Sequence, residues 1–215
     1  MSAGTITHRV REPAGEAHGA LVLLHGRGAD EQDLAPLLDI LDPERRLVGL
    51  LPRGPLSLPP GGAHWYVVRR IGFPDPATFL PTFERLSGWL DETLQDLRLG
   101  PDRVVLGGFS QGAVMSYALG LGAARPRPAG ILAMSGFLPT VDGFELDPGS
   151  RAGMSVSISH GSFDPVIGVE WGREAKGRLE AAALDVRYRE DPVDHRITPA
   201  AVAQAKAVLD ETFTC

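Results

Sequence analysis

The sequence has 215 residues, of which 43% are hydrophobic and 22% charged, so we expect a single well-filled domain over residues 1–215. The net charge is −6 and the basic residues form no patch, which argues against a nucleic-acid partner. A single cysteine, Cys215, no signal-peptide-like start and no apolar run near about 18 residues predict a cytoplasmic protein without disulfides or membrane spans.

Short apolar runs alternate with helical patterns along the whole chain. In the first half of the chain we predict an edge strand at 5–10, a strand at 19–24, a helix capped by Asp30 and reaching Leu41, a strand at 47–51, a loop at 52–75 and a helix at 79–97. In the second half we predict a strand at 103–106, a helix at 111–121, strands at 129–134 and 155–159, and a helix at 169–183. A more exposed strand at 184–189 follows, and then a helix from Pro199 to about 212 with Thr198 as its cap. This alternation implies right-handed crossovers and a mostly parallel central sheet with helices on both faces. The fold class is therefore α/β.

The segment at 52–75 has no clear helical or strand period. It contains P-P-G-G at 59–62 and the aromatic residues Trp65, Tyr66 and Phe73. A structureless loop of this length inside a compact domain is usually functional. We therefore expect it to shape a binding site.

The segment G-F-S-Q-G at 108–112 lies between a predicted strand and a predicted helix. It matches G-x-S-x-G, in which a sharp strand-to-helix bend presents the serine as a nucleophile. Crowding at such a bend requires small residues two positions before and after Ser110. The bend also puts the Gln111 N–H at a helix N-terminus, where it can donate to a developing oxyanion. The alternative is a plain turn, and the flanking elements favour the nucleophile elbow.

A nucleophilic serine needs a base and an acid that orients the base. Of the six histidines, His195 is the one between the last predicted strand and the last predicted helix, so we predict it as the base. Asp164, in H-G-S-F-D-P after the strand at 155–159, is the predicted acid. The chain order Ser110, Asp164, His195 is the order expected of an α/β-hydrolase.

Other polar residues near predicted strand ends have structural interpretations. His160 lies only four residues before Asp164, and we predict that it donates to nearby backbone. His25 is predicted to support the loop that follows the first long strand. Asp191 and Asp194, in the loop of His195, are interpreted as solvated.

The loop H-G-R-G-A-D at 25–30 follows the first long strand and is predicted to supply the second oxyanion donor, the Arg27 N–H. The Arg27 guanidinium either points to solvent or meets an anionic group, and the sequence leaves both open. A metal site built from His25, Asp30 and Asp33 is disfavoured because no established ligand spacing accompanies them. We predict neither a metal nor a cofactor.

Five motifs together resemble those of one family. They are L-H-G-R-G from Leu24, G-F-S-Q-G from Gly108, S-G-F-L-P from Ser135, H-G-S-F-D-P-V from His160 and H-R-I from His195. Over nearly its full length the chain is similar to the phospholipase/carboxylesterase family of small serine hydrolases, which includes acyl-protein thioesterases. The resemblance implies an α/β-hydrolase fold without a large cap domain, acting on carboxylic esters or thioesters. It also implies a catalytic triad of Ser110, Asp164 and His195, with the Arg27 and Gln111 amides as the oxyanion hole.

The chain departs from this family's pattern before the predicted base. Family members often carry glycines there, whereas Pro192, Val193 and Asp194 precede His195. A stiffer loop with an adjacent carboxylate is a reason to expect an altered orientation of the imidazole.

The predicted acyl pocket consists of apolar and aromatic residues near the motifs. Its predicted members are Trp65, Tyr66, Ile71, Phe73, Phe137, Leu138 and Val166. For each of them the alternative is packing in the core. We expect the substrate to be a small ester or thioester with a short to medium acyl chain.

Two rival functions stay open at this point. One is a dienelactone-hydrolase-like enzyme for anionic lactones, with Arg27, Arg69 or Arg70 binding the carboxylate; that relative normally uses a cysteine, whereas position 110 is serine. The other is a non-catalytic binding protein with a hydrolase fold. The sequence also leaves open whether two chains pair as a homodimer.

Overall fold

A computed structural model describes residues 6–213, and its centre is one seven-stranded sheet. The strands within these residues are β1 (His8–Arg11), β2 (Gly19–Leu24), β3 (Leu47–Pro52), β4 (Leu56–Leu58), β5 (Gly62–His64), β6 (Val68–Arg70), β7 (Phe73–Pro74), β8 (Val104–Phe109), β9 (Gly130–Met134), β10 (Ser155–Gly161) and β11 (Asp185–Asp191). The sheet has the order β1-β3-β2-β8-β9-β10-β11, with β1 antiparallel to β3 and all other neighbours parallel. The prediction of a mostly parallel α/β sheet is confirmed.

Helices cover both faces of this sheet. Within residues 6–213 they are α1 (Ala35–Leu41), α2 (Pro76–Leu97), α3 (Gln111–Leu121), α4 (Val169–Ala181) and α5 (Pro199–Phe213). Helices α1 and α5 pack on one face and α2, α3 and α4 on the other. None of the helices in this part of the chain has the length and apolarity needed to cross a bilayer.

Burial on both faces explains the continuous apolar run of β2. Leu21 and Leu23 pack with α1 and α5, whereas Val22 and Leu24 pack with α2 and α3. A strand whose side chains alternate between two covered faces has no position for a polar residue. At the opposite edge, β11 is only partly buried, as its alternating sequence predicts.

The first strand and the start of α1 differ from their predicted boundaries. The first strand is His8–Arg11 rather than 5–10, and Thr5 lies outside the described residues. Asp30 does not cap α1: its carboxylate accepts from the Gln32 N–H at 2.9 Å in a separate turn, and the helix begins at Ala35. A proline in the first turn of α1 suits that later start, because proline has no N–H to leave unpaired. By contrast, Thr198 accepts from the Ala201 N–H at 3.0 Å and caps α5 as predicted.

The segment predicted as a loop at 52–75 contains two small antiparallel hairpins, β4 with β5 and β6 with β7. Its short strands escaped the sequence analysis because three or fewer residues are too few to establish a period of two. This segment lies between β3 and α2 and contributes side chains to the cavity described below.

Candidate active site

Ser110 occupies a sharp bend between β8 and α3, near the middle of the sheet. Its backbone has φ of 55° and ψ of −120°, a left-handed conformation that is strained for a residue with a side chain. The neighbouring strand holds this bend, since the Ser110 N–H donates to the Met134 carbonyl at 2.9 Å. The strain is therefore built into the central strands rather than into a mobile loop.

The glycines around Ser110 are required by contacts between backbone atoms. A Cβ at Gly108 would lie 2.5 Å from the Gly112 carbonyl carbon, and a Cβ at Gly112 would lie 1.9 Å from the Leu24 carbonyl oxygen. Real Cβ atoms essentially never come this close to another heavy atom. The predicted need for small residues at these two positions is confirmed.

The side chains of Ser110, His195 and Asp164 form one hydrogen-bonded chain. His195 Nε2 is 2.8 Å from Ser110 Oγ, and His195 Nδ1 is 2.6 Å from Asp164 Oδ2. A carboxylate accepts from Nδ1–H, so Nε2 is left free to accept from the serine hydroxyl. These residues follow β8, β10 and β11, at the carboxyl ends of the strands, where reactive groups of open parallel sheets gather.

Asp164 is fixed by the backbone of its own loop. Its side chain is fully buried, and Oδ1 accepts from the N–H groups of Val166 and Ile167 at 2.8 and 2.9 Å. The other oxygen, Oδ2, is left for His195. Hydrogen bonds to a carboxylate favour its charged form, which is the form that orients an imidazole.

His160 lies beside the same carboxylate and does not reach the serine. Its Nε2 donates to the Ile167 carbonyl at 2.8 Å and lies 3.6 Å from Asp164 Oδ2. Burial lowers the pKa of His160, so the ring is neutral. The predicted structural role, donation to nearby backbone, agrees with this geometry.

The loop before His195 contains no glycine and is fixed by hydrogen bonds of Val193 and Asp194. The Val193 carbonyl accepts from the Phe163 N–H at 3.0 Å, and the Asp194 carboxylate pairs with Arg196, which lowers the pKa of that carboxyl. The Phe109 ring lies against the imidazole, with 4.7 Å between centroids. The imidazole therefore reaches Ser110 despite the stiffer loop.

Asp191, by contrast, is not solvated as predicted. Its carboxylate is buried and bonds to Arg189 and Thr198 at the junction of β11 and α5. The sequence alone could not locate these partners, because one precedes the loop and the other follows it.

Arg27 and Gln111 line the same cavity as Ser110. Gln111 is the first residue of α3, so its N–H has no partner within the helix. Within residues 6–213 no acceptor bonds to the Arg27 N–H. Both residues line the cavity together with Ser110, as an oxyanion hole requires.

That cavity has a volume of about 350 Å³ and is mostly apolar. Four predicted pocket residues line it: Tyr66, Ile71, Phe137 and Val166. It also contains lining residues that the sequence analysis did not assign to the pocket: Arg27, Val68, Ser110, Gln111 and Ile167. Val68 and Ile167 carry no distinguishing signal in the sequence, although each neighbours a predicted site segment.

The other three predicted pocket residues lie elsewhere. Trp65 is fully buried beneath the site and donates from Nε1 to the His25 carbonyl at 2.8 Å. Leu138 packs in the core between α3 and α4. Phe73 stays partly exposed, and the Arg70 guanidinium stacks on its ring at 3.6 Å. For the first two, core packing was the correct alternative.

Two side chains join the 53–75 segment to the site. Gln111 Oε1 accepts from the Trp65 N–H, and Nε2 donates to the Tyr66 carbonyl, both at 2.7 Å. His25 Nε2 accepts from the Gly54 N–H at 2.9 Å, while its Nδ1 donates to the Gly26 carbonyl at 2.7 Å. The supporting role predicted for His25 is the one observed, whereas the role of the Gln111 side chain was missed.

No group of three or more His, Cys, Asp or Glu side chains in residues 6–213 is arranged to hold a metal ion. A larger groove of about 740 Å³ lies between α2 and the loop at 139–146, away from Ser110. The cavity at Ser110 is thus the candidate active site.

Known proteins that are similar to this chain include esterases, thioesterases and related hydrolases. The sequence model of the phospholipase/carboxylesterase family matches residues 6–213. Acyl-protein thioesterase 1 of Candida albicans is 29% identical over 184 residues, which cover 77% of this chain and 79% of that protein. The putative hydrolase MhqD of Bacillus subtilis is 27% identical and covers 93% of this chain and 96% of its own. The Bacillus cereus carboxylesterase superposes with a TM-score of 0.83 at 26% identity, covering 97% of this chain and 95% of that one.

Proposed function

The chain belongs to the phospholipase/carboxylesterase family of hydrolases, and from that premise we propose that it cleaves carboxylic esters through an acyl-enzyme on Ser110. The observation that carries the proposal is the hydrogen-bonded chain from Ser110 Oγ through His195 to Asp164, with distances of 2.8 and 2.6 Å. Thioesters of the same acyl groups are a further substrate class, because the same attack on the carbonyl carbon releases a thiol.

Acylation begins with removal of the serine proton. His195 Nε2 takes the proton from Ser110 Oγ as the oxygen attacks the carbonyl carbon of the ester. Asp164 holds the Nδ1–H and stabilises the imidazolium that forms. The oxyanion accepts from the N–H groups of Arg27 and Gln111, and the loss of one such donor typically costs about 10²–10³ in rate.

Acylation ends when the first tetrahedral intermediate collapses: the bond from the carbonyl carbon to the leaving oxygen or sulfur breaks, His195 gives its proton to the departing alcohol or thiol, and the acyl group stays on Ser110. Deacylation repeats the proton transfers with water, which gives a proton to His195 and attacks the acyl carbonyl. Collapse of the second tetrahedral intermediate releases the acid and returns the proton to Ser110 Oγ.

The size and apolar lining of the cavity favour short to medium acyl chains. Tyr66, Ile71 and Phe137 line a volume of about 350 Å³. Each buried methylene contributes about 0.8 kcal/mol, so kcat/KM rises with chain length until the cavity is filled. A reducing, cytoplasmic location stays a prediction.

Replacement of Ser110 tests the proposal. Ser110→Ala removes the attacking oxygen, and we expect hydrolysis of p-nitrophenyl butyrate to fall by about 10⁴-fold or more. Ser116→Ala is the matched control, because its hydroxyl bonds to the Gly112 carbonyl in the same helix and not to His195. If Ser110→Ala hydrolysed the ester like the parent, the proposed function would be wrong.

A further inference from the structure

Arg27 brings a free positive charge to the wall of the active-site cavity. It lines the cavity with Ser110, and its side chain is exposed. Within the described chain the guanidinium makes no hydrogen bond and no ion pair. A guanidinium presents five donors in a planar fork that matches a carboxylate.

The acidic residues that follow Arg27 in the sequence do not neutralise it. Asp30 and Glu31 both face Arg53, at 3.6 and 2.9 Å. The hydrogen bond and the charge of Arg53 keep the pKa of Glu31 low against the opposing effect of its burial. Asp30 and Glu31 are therefore paired with Arg53, and the charge of Arg27 at the cavity wall is not compensated by them.

The other arginines near the site are engaged elsewhere. Arg69 pairs with Asp75 at 3.0 Å, and the guanidinium of Arg70 stacks on Phe73. The remaining cavity wall consists of Tyr66, apolar side chains, the Ser110 hydroxyl and Gln111. Gln111 uses its amide on Trp65 and Tyr66. Arg27 is thus the one charged side chain of the described cavity wall.

We propose that the Arg27 side chain binds a carboxylate of the substrate, so that the enzyme prefers esters that carry a free carboxylate over neutral esters of the same size. This inference rests on the proposed function, because it assigns a substrate class to the same site. The two roles of the residue are separable: the backbone N–H donates to the oxyanion, and the guanidinium recognises a second group. A charged substrate in an otherwise apolar cavity gains most from this contact, since no other described side chain there compensates its charge.

The carboxylate can lie on either arm of the ester, and two matched pairs of substrates distinguish the arms. Monoethyl glutarate and its neutral isostere ethyl 4-carbamoylbutanoate place the charge on the acyl arm. The butyrate esters of 4-hydroxybenzoate and of 4-hydroxybenzamide place it on the leaving group. For each pair the measured quantity is the ratio of kcat/KM for the acid to kcat/KM for the amide. Because both members react at Ser110, effects of a variant on the serine chemistry cancel in this ratio.

We expect Arg27→Gln to lower the ratio by about tenfold for one of the pairs. A larger fall is not expected, because water screens the charge of an exposed guanidinium. Arg27→Lys keeps part of the preference because it retains the charge without the planar fork. The matched control is Arg70→Gln, which removes a nearby arginine that stacks on Phe73 and does not line the cavity; its ratios equal those of the parent. Raising the salt concentration reduces the ratio of the parent and leaves that of Arg27→Gln unchanged.

The outcomes separate this inference from the proposed function. A fall in either ratio in Arg27→Gln supports it and assigns the arm. Ratios in Arg27→Gln that match the parent for both pairs overturn it, while the loss of all turnover in Ser110→Ala leaves the hydrolase mechanism standing. Turnover that persists in Ser110→Ala refutes the proposed function, whatever the ratios show.

Discussion

The nucleophile segment at 107–112 and the segment at 53–75 meet at one cavity but depend on distant side chains to different degrees. Around Ser110 the contacts join backbone to backbone, so that glycine is required at Gly108 and Gly112. The segment at 53–75 also has backbone bonds, such as the one from the Gly28 N–H to the Ala63 carbonyl, but side chains distant in sequence attach it as well. Gln111 bonds to residues 45 and 46 positions away, and His25 to one 29 positions away. The first segment is specified mainly by its own glycines, whereas the second also needs pairs of residues distant in sequence.

The largest effect is expected from adding a methyl group to the nucleophile segment at Gly112. In Gly112→Ala the new Cβ meets the Leu24 carbonyl oxygen at 1.9 Å, and neither backbone can move without disturbing β2 or β8. We expect a loss of more than about 3 kcal/mol in the free energy of unfolding, above the usual range for overpacking because the opposing atoms are backbone. Chemical denaturation measures this loss.

The matched control lies in the other segment. A Cβ at Gly61, in the turn between β4 and β5, meets nothing within 4 Å. Gly61→Ala is therefore expected to change the free energy of unfolding by no more than about 0.5 kcal/mol. Equal stability losses in the two variants would show that contact with the Leu24 carbonyl is not what destabilises Gly112→Ala.

A smaller effect is expected from cutting the link between the two segments. Gln111→Leu removes both amide bonds and leaves the buried Trp65 N–H without a partner, while the Tyr66 carbonyl keeps only its bond from His64 Nδ1 at 3.1 Å. We expect a loss of about 2 kcal/mol in stability, since an unpaired buried group costs about 1–3 kcal/mol. KM for butyrate esters should rise as well, because Tyr66 lines the cavity.

Gln95→Leu makes the same chemical change at an exposed position of α2 and serves as the control. Urea denaturation of both variants gives the comparison. If Gln111→Leu were as stable as Gln95→Leu, the amide would not be what holds the hairpins.

The smallest effect is a pH dependence at His25. Burial lowers its pKa, and the neutral ring accepts from the Gly54 N–H. Below about pH 6.5 the unfolded chain takes up a proton that the folded chain resists, so the free energy of unfolding falls as the pH falls from about 7.5 to 5.5. His25→Gln removes this titration. We therefore expect the free energy of unfolding to fall by about 1 kcal/mol less in His25→Gln than in the parent between about pH 7.5 and 5.5.

The exposed His18 supplies the control for this profile. His18→Gln should retain the pH profile of the parent, measured as unfolding free energy at intervals of half a pH unit. Since burial also lowers the pKa of His160, part of the slope persists in His25→Gln. A profile of His25→Gln as steep as that of the parent would contradict the role given to the neutral ring.

The same contrast explains which features could be predicted from the sequence. The sheet, the bend at Ser110 and the approach of Asp164 and His195 follow from apolar runs and from the order of strand ends, which are local signals. The two hairpins, the burial of Asp191 and the positions of Trp65 and Leu138 depend on contacts between distant residues. The aromatic residues at 65–73 correctly indicated that this segment shapes the site, but the sequence does not determine which of their rings line the cavity.

The start of α1 illustrates a second limit. Asp30 has the side chain and the position expected of a helix cap, and its carboxylate does accept a backbone N–H. That bond closes a turn before the helix, because a short polar side chain stabilises an isolated turn as readily as a helix end. The residue type therefore predicts the kind of bond and not the element that follows it.

The central claim is that Ser110 is a nucleophile activated by His195. Peptide mapping by mass spectrometry after treatment with a fluorophosphonate tests it most directly, because the reagent forms a stable bond with an activated serine. The account predicts one adduct per chain, located on Ser110 and absent from His195→Ala. An adduct on another serine would contradict it, and no adduct on the folded protein would contradict it and favour a binding protein without catalysis.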